Sequence, residues 1–173
     1  YRVEKSNKAD LLMHLLKDET ISSALVFTRT KNGANRLTKK LIDQPYKTEV
    51  IHGNKSQNAR TAALTNFKNH TSRVMIATDI AARGLDISKI SHVFNYDMPE
   101  TPETYLHRMG RTGRAGEAGI TISFCSNEEL NLLKDVQKHI GMEIPQKKSP
   151  IVFSKKEETN QTSVSEETKQ PFH

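Results

Sequence analysis

One cysteine, Cys125, stands among the 173 residues, which excludes an internal disulfide framework and a zinc site built on cysteines. No apolar run approaches the ~20 residues that a bilayer-spanning helix needs. No secretory leader opens the chain, so the expectation is a chain without membrane association, in the reducing cytoplasm. No Gly-x-Gly-x-x-Gly follows the first strand-like run, which argues against a dinucleotide-binding oxidoreductase. There is no internal repeat. Apolar residues make up only 35% and the mean hydropathy is −0.65, low for a fully packed domain. A normal core diluted by a polar segment is therefore expected, and the length suits one compact domain. Lys and Arg number 26 against 20 Asp and Glu, a net charge of +6. That balance suits a polyanionic partner, because each phosphate neutralised releases a counterion, although a solvated basic surface gives the same count.

The residues present alternate between two periodicities. Ala24–Thr28, Thr48–Ile51, Val74–Ala77, His92–Tyr96 and Ile120–Cys125 read as short buried strands. Between them lie helical patterns. One has Ala34, Leu37, Leu41 and Ile42 on a face and ends before Pro45. Another runs from Ser56, a plausible N-cap, to Asn69, with Ala59, Ala63, Leu64 and Phe67 facing inward. A third starts near Pro102, and the last covers Asn127 to Ile140 and ends at Gly141. Asn7 opens an earlier helix carrying Leu11, Leu12, Leu15 and Leu16. Strands alternating with helices imply βαβ units, so the fold class is α/β: three layers around a mainly parallel sheet. Cys125, within the last strand, reads as an inert core thiol. Residues 1–144 form the domain. Residues 145–173, rich in Lys, Ser, Thr, Glu and Gln, bury too little to offset their ordering entropy and read as a polar flexible tail.

Two clusters carry chemistry. His107-Arg108-Met109-Gly110-Arg111-Thr112-Gly113-Arg114 places residues 107, 111 and 114 at i, i+4 and i+7, one face of a helical turn. Glycines among those arginines signal a close backbone or ligand, and fixed guanidinium groups suit the charge on phosphoryl oxygens. Ala77-Thr78-Asp79-Ile80-Ala81-Ala82-Arg83-Gly84-Leu85-Asp86 follows a buried strand, at the carboxyl end where open α/β sheets bind ligands. Two further segments agree. In Phe27-Thr28-Arg29-Thr30-Lys31, Thr30 and Gly33 lie at a loop-to-helix junction that favours a phosphate, and Thr30 also fits an N-cap. In His52-Gly53-Asn54-Lys55-Ser56-Gln57-Asn58-Ala59-Arg60, Arg60 opposes the helix macrodipole in the first turn, a local conflict that a functional arginine shows. His52 reads as a packed histidine rather than a catalytic one, and Asp97 as a residue that positions local backbone.

In this order, the four segments resemble the signature motifs of the C-terminal RecA-like domain of DEAD-box RNA helicases. His-Gly-Asn-Lys-Ser-Gln-Asn-Ala-Arg and Phe-Thr-Arg-Thr-Lys resemble the bacterial RhlE-type subgroup. The resemblance implies a protein whose two RecA-like domains close over ATP and RNA. It casts Arg111 and Arg114 as arginine fingers, Asp86 as the ATP ribose contact and Gly84 as part of its surroundings. Thr30, Gly33, Gln57, Arg60 and Thr78 would hold RNA phosphates, with Gln57 supporting Arg60. Arg83 and His107 would face the N-terminal domain. Single-stranded or duplex RNA would be held without regard to sequence. No Gly-x-x-x-x-Gly-Lys-Ser/Thr and no Asp-Glu-Ala-Asp occur in these residues. The implied Mg²⁺ would thus be held by an N-terminal RecA-like domain, no metal site is expected in this chain, and the fragment alone should be inactive. Starting on Tyr1 without methionine, the chain reads as cut from a longer protein. A DNA-acting helicase of the same superfamily and a stand-alone RNA-binding module are the rival readings; the intact arginine motif favours the RNA helicase.

Overall fold

Parallel strands buried on both faces must be apolar nearly throughout, and two of the runs are buried at every position: β1 (Ala24–Thr28) and β3 (Val74–Thr78). The computed structural model describes residues 1–113 and 118–153. In it β1 and β3 join β2 (Thr48–Ile51), β4 (His92–Asn95) and β5 (Ile120–Ser123) in one sheet of order β2-β3-β1-β4-β5. Every pairing is parallel. The helices are α1 (Lys8–Leu15), α2 (Lys31–Leu41), α3 (Gln57–Lys68), the short α4 (Asp79–Ala82), α5 (Pro102–Met109) and α6 (Leu130–Ile140).

Side chains of a strand alternate between its faces, and the core divides accordingly. Val26, Val74, Ile76 and Phe94 pack with Leu11 and Leu12 of α1 and Leu37 and Leu41 of α2. Leu25, Phe27, Met75, Ala77 and Val93 pack with Ala63 and Phe67 of α3 and with Ala81 and Ala82. A third cluster joins Met98, Tyr105, Cys125 and Val136 where α5 and α6 flank the β5 side. The result is the three-layer architecture expected from the alternation.

Details of the inward faces differ from expectation. Ile42 is 75% exposed, because α2 ends at Leu41 and Ile42 is its C-cap. Ala59 is exposed, whereas Ala63 and Phe67 of α3 are buried and Leu64 packs against their cluster. Asn7 occupies the N-cap of α1 but makes no capping side-chain bond, since a 3₁₀ turn over Lys5–Asn7 already leads the chain in. Ser56 does cap α3, accepting from Ala59 N at 3.1 Å, and Gly141 ends α6 in the left-handed region at φ 72°.

The sheet has a sixth contributor. Tyr1 N donates to Ser123 O, Cys125 N to Tyr1 O and Val3 N to Cys125 O, so the first residues run beside the end of β5. Lys8, only 1% exposed, reaches from α1 to Glu129 at 2.6 Å, Tyr96 O at 2.8 Å and Asp97 at 3.6 Å. Glu129 also accepts from Met98 N and Ser126 N. Burial pushes the Glu129 carboxyl up, but Lys8 and these N–H groups together hold it below its usual value. Burial raises the Cys125 thiol, and the Glu129 charge adds to the shift; the thiol lies in the core. Of the residues read as tail, Phe153 packs against the first cluster, while 154–173 lie outside the described residues. No helix of the described residues is long and apolar enough to cross a membrane.

Candidate functional site

Because all five strands are parallel, the loops after β1, β3 and β4 leave from the same end of the sheet, where α/β folds place their ligands. The loop after β1 turns into α2 at Thr30, whose Oγ1 accepts from Gly33 N at 3.0 Å. Thr30 is thus an N-cap, and the N–H expected to be free at Gly33 is taken by that cap. Thr78 closes β3 and precedes α4 without capping it by its side chain. Between these loops lies an open crevice of about 510 Å³, lined by Arg29, Lys31, Gly53, Asn54, Thr78 and Arg108 among others.

His52 anchors the loop that carries Gly53 and Asn54. It is 2% exposed, with Nε2 2.8 Å from Asn35 Oδ1 and Nδ1 accepting from Asn54 N at 3.2 Å. The neutral ring with its proton on Nε2 satisfies both contacts. Burial lowers its pKa, and the Lys55 and Lys31 charges lower it further. It is the packed histidine that the sequence suggests.

Arg60 points from the first turn of α3 toward the loop after β3. Its Nη2 reaches Ala81 O only at 3.5 Å, and its buried Nε has no partner. An unpaired buried donor costs about 1–3 kcal/mol, so this side chain is held in a position its own fold does not reward. Gln57 is exposed and makes no hydrogen bond to Arg60 among the described residues, so the support expected from it is not there.

The second part of the site is built on α5. Thr101 caps this helix, accepting from Thr104 N at 3.2 Å, and Pro102 occupies its first turn. The helix ends at Met109, so residues 107 and 111 do not share a helical face as their spacing suggested; Arg111 lies in the turn beyond. Arg111 does not stand unpaired. Its Nη1 donates to Leu85 O at 2.7 Å and Ile87 O at 3.2 Å, and its Nη2 to Ala82 O at 3.4 Å. Ala82 O and Leu85 O already accept from Leu85 N and Ile87 N, and the guanidinium binds these carbonyls as a second donor. Arg111 joins Arg83, His107 and Arg108 around a hollow of about 70 Å³. His107 and Arg83 are exposed. Gly84 sits at φ 77° with nothing within 4 Å of where a Cβ would stand, so the backbone angle, not crowding, calls for glycine there. Asp86 is 87% exposed and lies 3.5 Å from Lys68 Nζ. Arg114 lies outside the described residues.

Arg108 is what sequence reasoning missed. It is 2% exposed, with Nε and Nη2 each 2.6 Å from a carboxylate oxygen of Asp79. Nη1 donates to Asn95 Oδ1 at 3.1 Å and Asp97 O at 2.7 Å, and the group stacks 4.9 Å from the Phe27 ring. The signal was its position three residues after Tyr105, on the buried side of α5. Asp97, as expected, holds backbone: its Oδ2 accepts from Arg29 N at 2.8 Å. Among the described residues no three His, Cys, Asp or Glu stand together.

Comparison with known proteins gives the same frame. Residues 7–116 match the family model described as the helicase conserved C-terminal domain. The ATP-dependent RNA helicase DbpA of Bacillus subtilis is 44% identical over 149 residues, 86% of this chain but 31% of that protein; the chain thus spans about a third of such a relative. Among solved structures, E. coli DEAD-box protein SrmB, bound to regulator of ribonuclease activity A, superposes with a TM-score of 0.79 at 35% identity, covering 88% of this chain and 95% of that one. Saccharomyces cerevisiae Dbp5 bound to RNA and ADP BeF3 gives 0.74 at 36% identity, over 82% of this chain and 39% of that one.

Proposed function

This chain belongs to the helicase conserved C-terminal domain family, in the RecA-like form that DEAD-box RNA helicases carry, and from that premise we propose that it supplies one wall of a cleft closing over ATP and RNA. The observation that carries the reading is the arrangement at one end of the sheet. A crevice lined by Arg29, Lys31 and Thr78 lies beside a turn that gathers Arg83, His107 and Arg111. The first offers cations, hydroxyls and loop backbone to a phosphate chain. The second offers guanidinium groups to a triphosphate.

In this reading Thr30, Gly33, Gln57, Arg60 and Thr78 hold RNA phosphates. Arg60 gains there the partner its Nε lacks. Contacts to phosphates carry no base identity, so binding is independent of sequence. Asp86, exposed beside the left-handed Gly84, accepts from the ribose hydroxyls of ATP. Arg111 and Arg114 stabilise charge on the transferring phosphoryl group, Arg111 exchanging its carbonyl partners for phosphate oxygens. Arg83 and His107 face a second RecA-like domain, which binds Mg²⁺ and the β-phosphate. Mg²⁺ supplies charge neutralisation at the phosphates; this chain contributes orientation, ribose recognition and guanidinium charge.

The test is RNA-stimulated ATP hydrolysis. A protein containing both RecA-like domains should turn over ATP faster with single-stranded RNA, and this chain alone should not turn it over. Arg111→Ala or Arg114→Ala in the two-domain protein should lower turnover about 10³-fold, the low end for arginine fingers. Turnover retained in either variant would remove that residue from the finger role.

A further inference from the structure

The crevice and the arginine turn meet at one buried ion pair to which the reading above gives no role. Asp79 directly follows Thr78, and Arg108 precedes Arg111 by three residues. Both carboxylate oxygens of Asp79 are engaged by Arg108 at 2.6 Å. The same guanidinium touches the ends of two further strands, through Phe27 of β1 and through Asn95 and Asp97 O at the end of β4. A planar fork with every side committed has one position relative to its partners. The start of the loop after β3 and the end of α5 are therefore held in fixed register.

A second tie closes the unit. Arg111 binds the carbonyls of Ala82, Leu85 and Ile87, and Ile90 N donates to Arg111 O at 3.1 Å. Residues 79 to 90 are thus pinned to the end of α5 at both ends. A displacement at Thr78 cannot be absorbed by the loop alone. Breaking the pair would leave a buried guanidinium unpaired, which is costly, so the two parts move together or not at all.

We propose that the Arg108–Asp79 pair is a positioning contact that conveys RNA occupancy at Thr78 to the arginine turn at Arg111. It rests on the reading given under Proposed function. The pair borders both the crevice and the hollow, and it acts through Thr78 on one side and Arg111 on the other. Its signature is a loss of coupling with both sites intact.

The experiment uses the two-domain helicase with Asp79→Asn, which keeps the side-chain shape and removes the charge. Affinity for a labelled oligouridylate and for a fluorescent ATP analogue should each stay within about twofold, while RNA stimulation of ATP turnover falls roughly tenfold, within the usual span of coupling between sites. Unchanged stimulation, or binding and turnover falling together as the melting temperature drops, overturns the proposal. Where Asp79→Asn does not fold, Asp79→Glu keeps the charge, misplaces the carboxylate by one methylene and should show the same split. Wild-type enzyme without RNA stimulation would overturn the underlying reading instead, a result distinct from a loss confined to the variants.

Discussion

Arg108 and Arg60 lie at the same end of the sheet, and the fold treats them in opposite ways. Arg108 is sunk among the ends of β1, β3 and β4, with Asp79, Asn95 and Asp97 O filling its donors. Arg60, half-buried on α3, has a 3.5 Å contact to Ala81 O and a buried Nε without a partner. One arginine has been given everything it needs by its own chain. The other has been desolvated and left short, which a fold tolerates where an outside group completes the set. The difference separates a side chain that holds the site from one that waits for what the site binds.

The largest effect that sharpens this contrast comes from Arg108→Ala. It strips Asp79, Asn95 and Asp97 O of their common donor. The cost should be about 3 kcal/mol, the low end for breaking a buried pair, because Asp79 keeps 32% of its side-chain surface exposed. Urea denaturation of the domain measures it; a loss below ~1 kcal/mol would place Arg108 with Arg60. Next comes Arg60→Ala, which should leave stability within about 1 kcal/mol of wild type, since it removes an unsatisfied donor. Its RNA affinity in the two-domain protein should fall about tenfold and its salt dependence should weaken by close to one ion. A stability loss like that of Arg108→Ala, with RNA binding intact, would erase the distinction.

The smallest effect concerns the loop that borders the crevice at Gly53 and Asn54. The folded state holds His52 neutral with a lowered pKa, so below about 6.5 the unfolded chain binds more protons than the native one. Stability is therefore full above that value and declines as pH falls from there toward the folded pKa. Protonation also ends the ability of Nδ1 to accept from Asn54 N. Amide exchange at Asn54 should quicken over that same range, and His52→Gln should flatten the response. Exchange indifferent to pH after correction for its intrinsic rate would show that the ring does not hold the loop.

The strands were legible because parallel strands leave apolar runs with little else to be. The helix starts were legible where a hydroxyl stood at the cap, as at Ser56, Thr30 and Thr101. Ile42 and Ala59 were not, since periodicity marks a face but not where the helix runs past the sheet. The site motifs stood out by wording, while their partners did not. Arg111 and Arg108 look equally basic in the sequence, and only the loop from Ala82 to Ile87 and the position of Asp79 decide what each binds. Gln57 and Arg60 show the converse, a sequence pair one turn apart with no hydrogen bond between them among the described residues. Long-range carbonyls and carboxylates are set by the tertiary path, which spacing along one helix cannot encode.

The first residues are sewn to the last strand: Tyr1 and Val3 pair beside Ser123 and Cys125, and Lys8 meets Glu129 across 121 positions. For a chain made from its N-terminus at the ribosome, this sets an order of events. The opening segment and α1 can emerge early, yet the strand beside Tyr1–Val3 and the carboxylate that meets Lys8 arrive only when β5 and the turn at Glu129 have been synthesised. Contacts of such separation slow folding and leave apolar surface exposed meanwhile. The ammonium of Lys8 would wait in water, or on a chaperone, until nearly the whole domain is out.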